Sequence, residues 1–127
     1  MKITLLYAGL AALLLLALSW NVVRLRRSLR IGIGDGGNAE LARAIRVHAN
    51  LLEYTPLALI LLALLEADGL AAVWLHLAGT TLLVCRLLHA FGLGRSAGVS
   101  FGRFIGTLGT WIVLLLLALL AVIRVFL

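Results

Sequence analysis

Apolar residues run without a charge from Ile3 to Val23 and again from Phe104 to Ile123. A helix needs about 20 such residues to cross a hydrocarbon core, so each run predicts a membrane span. Between them lie two less pure apolar segments, roughly Ala39–Leu65 and Leu70–Leu88, parted only by EADGL at 66–70. So short a connection makes these segments antiparallel neighbours. The remaining connections are longer. RLRRSLR at 24–30 leads into the glycine-rich IGIGDGGNAE at 31–40, and a Gly/Ser stretch precedes the last apolar run. The pattern predicts helices over 3–29, 39–66, 70–93 and 100–125, which form an all-α, integral membrane four-helix bundle with a single domain over 1–127.

Composition agrees with that pattern and narrows the chemistry. Hydrophobic residues make up 64% of the 127 and charged residues 13%, against about half and a quarter in soluble domains. Four spans leave no room for a soluble catalytic domain, so any chemistry must come from side chains on or between the helices. Lys plus Arg number 11 against 5 acids, a net charge of +6. In a soluble domain such a surplus would suggest nucleic acid. Here the bases gather at the ends of apolar runs, where they set orientation in the bilayer, and no nucleic-acid partner is expected. Arg24, Arg26, Arg27, Arg30, Arg43, Arg46, Arg86, Arg95 and Arg103 fall on one side, and only Lys2 and Arg124 on the other. The positive-inside rule then puts the arginine-rich end in the cytoplasm and both termini outside it. The same bias bears on the first run. ALSW at 17–20 loosely resembles a leader-cleavage site, but only Lys2 precedes the run and the strong charge follows it, so a retained helix is expected. Cys85 stands alone in an apolar stretch, which favours a small packing residue over a nucleophile.

Polar residues within the apolar segments carry the functional signal. Arg43, Arg46, Asn50, Glu53 and Pro56 recur every three or four residues along the second helix, which aligns them on one face. Glu53 lies about 18 Å beyond Leu41 along that helix, near the bilayer midplane. An unpaired carboxylate there costs several kcal/mol, so Glu53 must be neutral, paired or facing a hydrated cavity. An internal pair to Asn50 or an arginine would satisfy it structurally. Ionisable groups inside membranes nevertheless mark sites more often than packing. Arg86 and His89 stand one turn apart on the third helix and either line the same cavity mouth or snorkel toward head groups. His76 reads as interfacial. With His48 and His89 it lacks the spacing and helper acids of a ligand set, so no metal is expected. The loop at 31–40 lacks the Gly-Lys-Ser/Thr ending of a phosphate loop and reads as a linker. Asn38 is its helix cap, and Glu40 sits in the first helical turn. Gly102 and Gly106 have the small-xxx-small spacing of a close helix crossing, within the bundle or between subunits.

The segment Arg46-Val-His48-Ala-Asn50-Leu-Leu-Glu53-Tyr54-Thr-Pro56 resembles the signature of the MAPEG proteins, the membrane-associated proteins in eicosanoid and glutathione metabolism. VRLRR at 23–27, CRLLHAFG at 85–92 and GRSA at 94–97 also resemble family segments, and the likeness is greatest to small bacterial inner-membrane members of unassigned activity. The resemblance implies a homotrimer that binds glutathione in a cytoplasm-facing cleft between subunits. It carries glutathione-binding roles to Arg46, Asn50, Glu53 and Tyr54, with Arg24, Arg27, Arg86 and His89 as further contacts. Arginines suit the two glutathione carboxylates through forked charge-assisted bonds, and a glutamate suits the ammonium or orients an arginine. Active members place an arginine near the start of the fourth helix to stabilise the thiolate. Here Ser100 occupies that position and Arg103 follows one turn later, which makes Arg103 the catalytic candidate, ahead of Arg95 and Ser100.

Three functions compete on these residues. The first is a glutathione-dependent transferase or peroxidase that takes a lipophilic small molecule from the bilayer. The second is a non-catalytic protein on the same scaffold that binds lipid or presents a partner. The third, well behind, is a small proton-coupled exporter. Exporters of that size carry their glutamate in the first helix, where this chain has no acid.

Overall fold

The computed structural model describes residues 1–95 and 100–126, without the side chains of 93–95. Four helices account for nearly all of them: α1 Lys2–Leu29, α2 Ala39–Ala67, α3 Ala72–Arg95 and α4 Phe101–Arg124. Each is long and apolar enough to cross a membrane, and the described residues contain no strand.

Local chemistry sets the helix ends. The Asn38 side chain accepts a hydrogen bond from Leu41 N at 2.9 Å, capping α2, and Glu40 occupies the first turn, where the helix dipole favours an acid. At the other end of α2, Gly69 takes φ 85°. Leu70 N then donates back to Leu65 O at 2.9 Å and Gly69 N to Glu66 O at 3.2 Å, a Schellman closure. That turn delays the start of α3 to Ala72, past the Leu70 boundary suggested by hydropathy. The same closure ends α1, but with Arg30 at φ 56° and Ile31 N bonded to Arg26 O at 3.0 Å. Ser100 caps α4 through the bond from Arg103 N to its hydroxyl at 3.3 Å.

α2 and α3 form the middle of the bundle. α1 and α4 each pack against both, and the described residues of α1 and α4 do not meet. The apolar core joins Tyr7 of α1, Ala58 and Leu62 of α2, Leu75 and Leu82 of α3, and Val113 and Leu117 of α4. A smaller cluster of Leu25, Leu41 and Ala44 closes the arginine-rich end between α1 and α2. Outward faces are apolar too, with Leu13, Leu16, Leu57, Leu64 and Leu115 among the exposed residues, as lipid contact requires.

The glycines of α4 turn inward, onto α3. A β-carbon at Gly106 would stand 2.5 Å from Cys85 O and 2.7 Å from His89 N, and one at Gly102 would stand 3.0 Å from Leu88 O. A β-carbon at Gly109 would strike the Cys85 sulfur, so buried Cys85 is a packing residue. These small residues thus serve packing within the subunit. The Tyr7 ring of α1 likewise lies where Gly79 of α3 lacks a side chain.

Polar ties secure the end opposite the arginine-rich one. The Glu66 carboxylate of α2 accepts from the backbone N–H groups of Ile3 at 2.9 Å and Thr4 at 2.8 Å, and so caps α1 from a neighbouring helix. The Tyr7 hydroxyl lies 3.0 Å from His76 Nδ1 and 2.8 Å from Thr80 Oγ1, which draws His76 into a structural contact.

Overpacking a glycine crossing costs about 1–3 kcal/mol. Gly106→Val is therefore expected to lower the melting temperature of detergent-purified protein. Gly9→Ala is expected to leave it unchanged or raise it, since a β-carbon there meets nothing within 4 Å. Equal melting temperatures for Gly106→Val and the unaltered protein would refute the close crossing.

Candidate functional site: a cationic cleft at the arginine-rich end

Arg86 of α3 is 2% exposed. A guanidinium inside a membrane helix bundle needs partners from the protein, because no bulk water reaches it. Its Nη1 donates to Asn50 Oδ1 of α2 at 2.5 Å and its Nη2 to Gly106 O of α4 at 2.8 Å. Its Cζ also stands 5.8 Å from the centroid of the Tyr54 ring, within cation–π range. One side chain thereby ties three helices. Gly106 makes the geometry possible, since only a residue without a side chain lets its carbonyl come so close to α3.

The contact with Arg86 also orients Asn50. With its oxygen occupied, the amide turns its NH2 group toward Glu53, whose Oε2 lies 3.5 Å away. Glu53 in turn pairs with Arg46, Nη1 to Oε1 at 3.2 Å, and both side chains remain open, at 60% and 44% exposure. The expected internal pair therefore exists, but on the outside of the subunit.

Beside this chain of contacts is a cavity of about 330 Å³, lined by Arg43, Arg46, Asn50, His89 and Arg103 together with Ala39 and Ala42. The start of α2, the end of α3 and the first turn of α4 meet there. Among the described residues, three guanidiniums face the space and no carboxylate lines it. Such a cavity suits an anion with more than one carboxylate or phosphate group, held through forked hydrogen bonds.

Of the residues expected at a site, Arg46, Asn50, His89 and Arg103 meet around this cavity, and Glu53, Tyr54 and Arg86 adjoin it through the contacts just given. Arg24 and Arg27 stand apart in the single chain. Arg24 donates to Asn21 Oδ1 at 2.9 Å on its own helix, and Arg27 is exposed on α1. The side chain of Arg95 lies outside the described residues, as does most of the GRSA segment. The hydroxyl of Ser100 is engaged in capping α4. Pro56, last of the stripe, turns away and lines a separate apolar cavity with Ala8, Ala12 and Leu15 of α1. Arg43, first of the polar stripe on α2 and not among the expected site residues, also lines the cavity three residues before Arg46.

A four-helix membrane bundle with a half-open cationic cleft on α2, α3 and α4 is thus the class of protein defined here. The chain belongs to the MAPEG family, whose model matches residues 4–123. It is 43% identical over 114 residues to inner membrane protein YecN of Escherichia coli strain K12, across 90% of this chain and 86% of that one. The same figures hold for YecN of Escherichia coli O6:H1. The likeness carried by Arg46, Asn50, Glu53, Tyr54 and Pro56 is therefore one of descent.

Arg86→Lys keeps the charge but loses the fork, and hydrogen bonds to a charged group are worth about 1.5–3 kcal/mol each. Thermal unfolding in detergent is expected to show a loss of about 2 kcal/mol for this variant. Unchanged stability would mean that the fork does not brace the bundle.

Proposed function

We propose that this MAPEG-family chain is a homotrimeric, glutathione-binding protein of the bacterial inner membrane that acts as a transferase or peroxidase on lipophilic electrophiles. The observation that carries this is the cleft itself, where Arg43, Arg46 and Arg103 face a space that no carboxylate lines among the described residues, while Glu53 stands beside Arg46. Glutathione matches that distribution. Its two carboxylates suit the guanidiniums, its ammonium suits Glu53, and its thiol lies within the reach of Arg103, where a cation favours the thiolate.

The exposure of the Arg46–Glu53 pair supports an assembly of subunits. Glu53 lies about 21 Å along α2 from Ala39, at hydrocarbon depth. Its neighbours Leu52 and Leu57 are exposed and apolar. A charged pair facing lipid at that depth is costly, and a second copy of the chain laid against α2 removes the cost while closing the cleft. Arg24 and Arg27, which stay apart from the cleft within one subunit, gain a route to a neighbour's cleft in the same way. The arginine-rich end faces the cytoplasm by the positive-inside rule, which also leaves both termini outside it.

A non-catalytic role on the same scaffold, binding lipid or presenting a partner, is favoured by one observation. Ser100, at the position of the family's catalytic arginine, caps α4 and leaves thiol activation to Arg103.

Calorimetric titration of glutathione into the detergent-purified protein is expected to give saturable binding that Arg46→Ala weakens by about tenfold or more, the loss of one charge-assisted fork. Arg103→Ala is expected to retain binding and lose conjugation of a lipophilic electrophile. No saturable heat in the unaltered protein would reject the glutathione site. Binding without turnover of any electrophile or lipid peroxide would select the non-catalytic role.

A further inference from the structure

The cleft contains one side chain of a different character. His89 lines the cavity with Arg46 and Arg103 and is itself only 4% exposed. Its ring has no hydrogen-bond partner among the described residues, in contrast to His76, which is held by Tyr7. The α3–α4 crossing fixes its place. A β-carbon at Gly106 would stand 2.9 Å from His89 Cβ, and one at Gly92 would stand 2.6 Å from Arg103 N. The turn that carries His89 is thus pressed against the turn that carries Arg103, and both side chains open on the same space.

Proton chemistry then distinguishes His89 from its neighbours. The guanidiniums of Arg43, Arg46 and Arg103 stay charged and have no lone pair to accept a proton, and the Asn50 amide is no base. Glu53, on α2, does not line the cavity and is engaged by Arg46. Arg86 and Cys85, earlier on α3, are buried, with Arg86 held by Asn50 and Gly106 and Cys85 packed on Gly109. Among the described lining groups, only the imidazole has a ring nitrogen that can take and return a proton.

We propose that His89 is the general base that receives the thiol proton of bound glutathione while Arg103 holds the resulting thiolate, an inference that rests on the glutathione reading of the cleft. The S–H bond breaks, the proton passes to a ring nitrogen and the electron pair stays on sulfur. The thiolate attacks an electrophilic carbon, forming the C–S bond. The imidazolium then gives its proton to the electron pair displaced from that carbon, which leaves the ring neutral for the next cycle. The step balances with glutathione and the electrophile alone.

The test follows the ultraviolet absorbance of the thiolate of glutathione bound to the detergent-purified protein against pH, with occupancy measured by calorimetry on the same samples. The unaltered protein, His89→Gln and His89→Ala are compared. Near neutral pH both variants are expected to show about tenfold less thiolate per bound glutathione, the scale of losing one cationic partner beside a thiol. Added imidazole is expected to restore the signal in His89→Ala, where the side chain leaves space for it. An unchanged thiolate fraction in the variants overturns the base role alone and leaves the glutathione site standing. A loss that imidazole does not restore also overturns it, because disturbed packing at Gly106 then accounts for the effect. Absence of saturable binding in the unaltered protein overturns the glutathione reading and this inference together.

Discussion

A guanidinium cut off from water must find its partners inside the protein, and Arg86 finds them on two other helices. Its hydrogen bonds to Asn50 and to the Gly106 carbonyl hold α2 and α4 against α3 at one level of the bundle. Several features depend on this. Gly106 has to lack a side chain for its carbonyl to reach α3. Asn50 has to present its oxygen to Arg86, and so presents its NH2 group toward Glu53. Glu53 then sits where Arg46 can pair with it. The cleft is therefore the outer rim of a buried brace, and its polar groups are preorganised from behind. In a low-dielectric interior the two hydrogen bonds from the Arg86 terminal nitrogens are strong, while its buried Nε has no partner among the described residues.

The opposite end is secured by different means with the same logic. The first N–H groups of α1 have no partners within their own helix, and the Glu66 carboxylate supplies them from the end of α2. The Asp68 carboxylate pairs with Arg124 at 3.0 Å and ties the end of α4 to the turn between α2 and α3. Tyr7 lies in the notch of Gly79 and hydrogen-bonds to α3. Between these polar ends the core is almost wholly aliphatic. α1 and α4, whose described residues do not meet, are both positioned through the central α2 and α3 pair.

Function is concentrated where the polar brace meets the open side. Among the described residues, the cleft collects its guanidiniums from α2 and α4 and its imidazole from α3, on elements that packing holds rigid. Its exposed flank, with the Arg46–Glu53 pair, lies next to apolar residues that suit lipid or another subunit. Under the proposed function, such a site would take a polar ligand from the water side and an apolar one from the bilayer.

The sequence by itself determined the four helices, because a charge-free run of about 20 residues has few other stable forms in a membrane. It determined the start of α2 through Asn38 and Glu40, and the alignment of Arg43, Arg46, Asn50 and Glu53, because both are local and follow from helical spacing. The family signature lay in that same stripe. Only the tertiary structure decided that Arg86 turns inward as a brace, that the glycines of α4 face α3, that Glu66 caps α1 and that Arg24 and Arg27 stay away from the cleft. The physical reason is common to these cases. A membrane helix is apolar toward its neighbours and toward lipid alike, so hydropathy fixes its length and leaves its rotation about its axis open. That rotation is settled by close packing and by polar groups finding partners on other helices, which no single helix sequence contains.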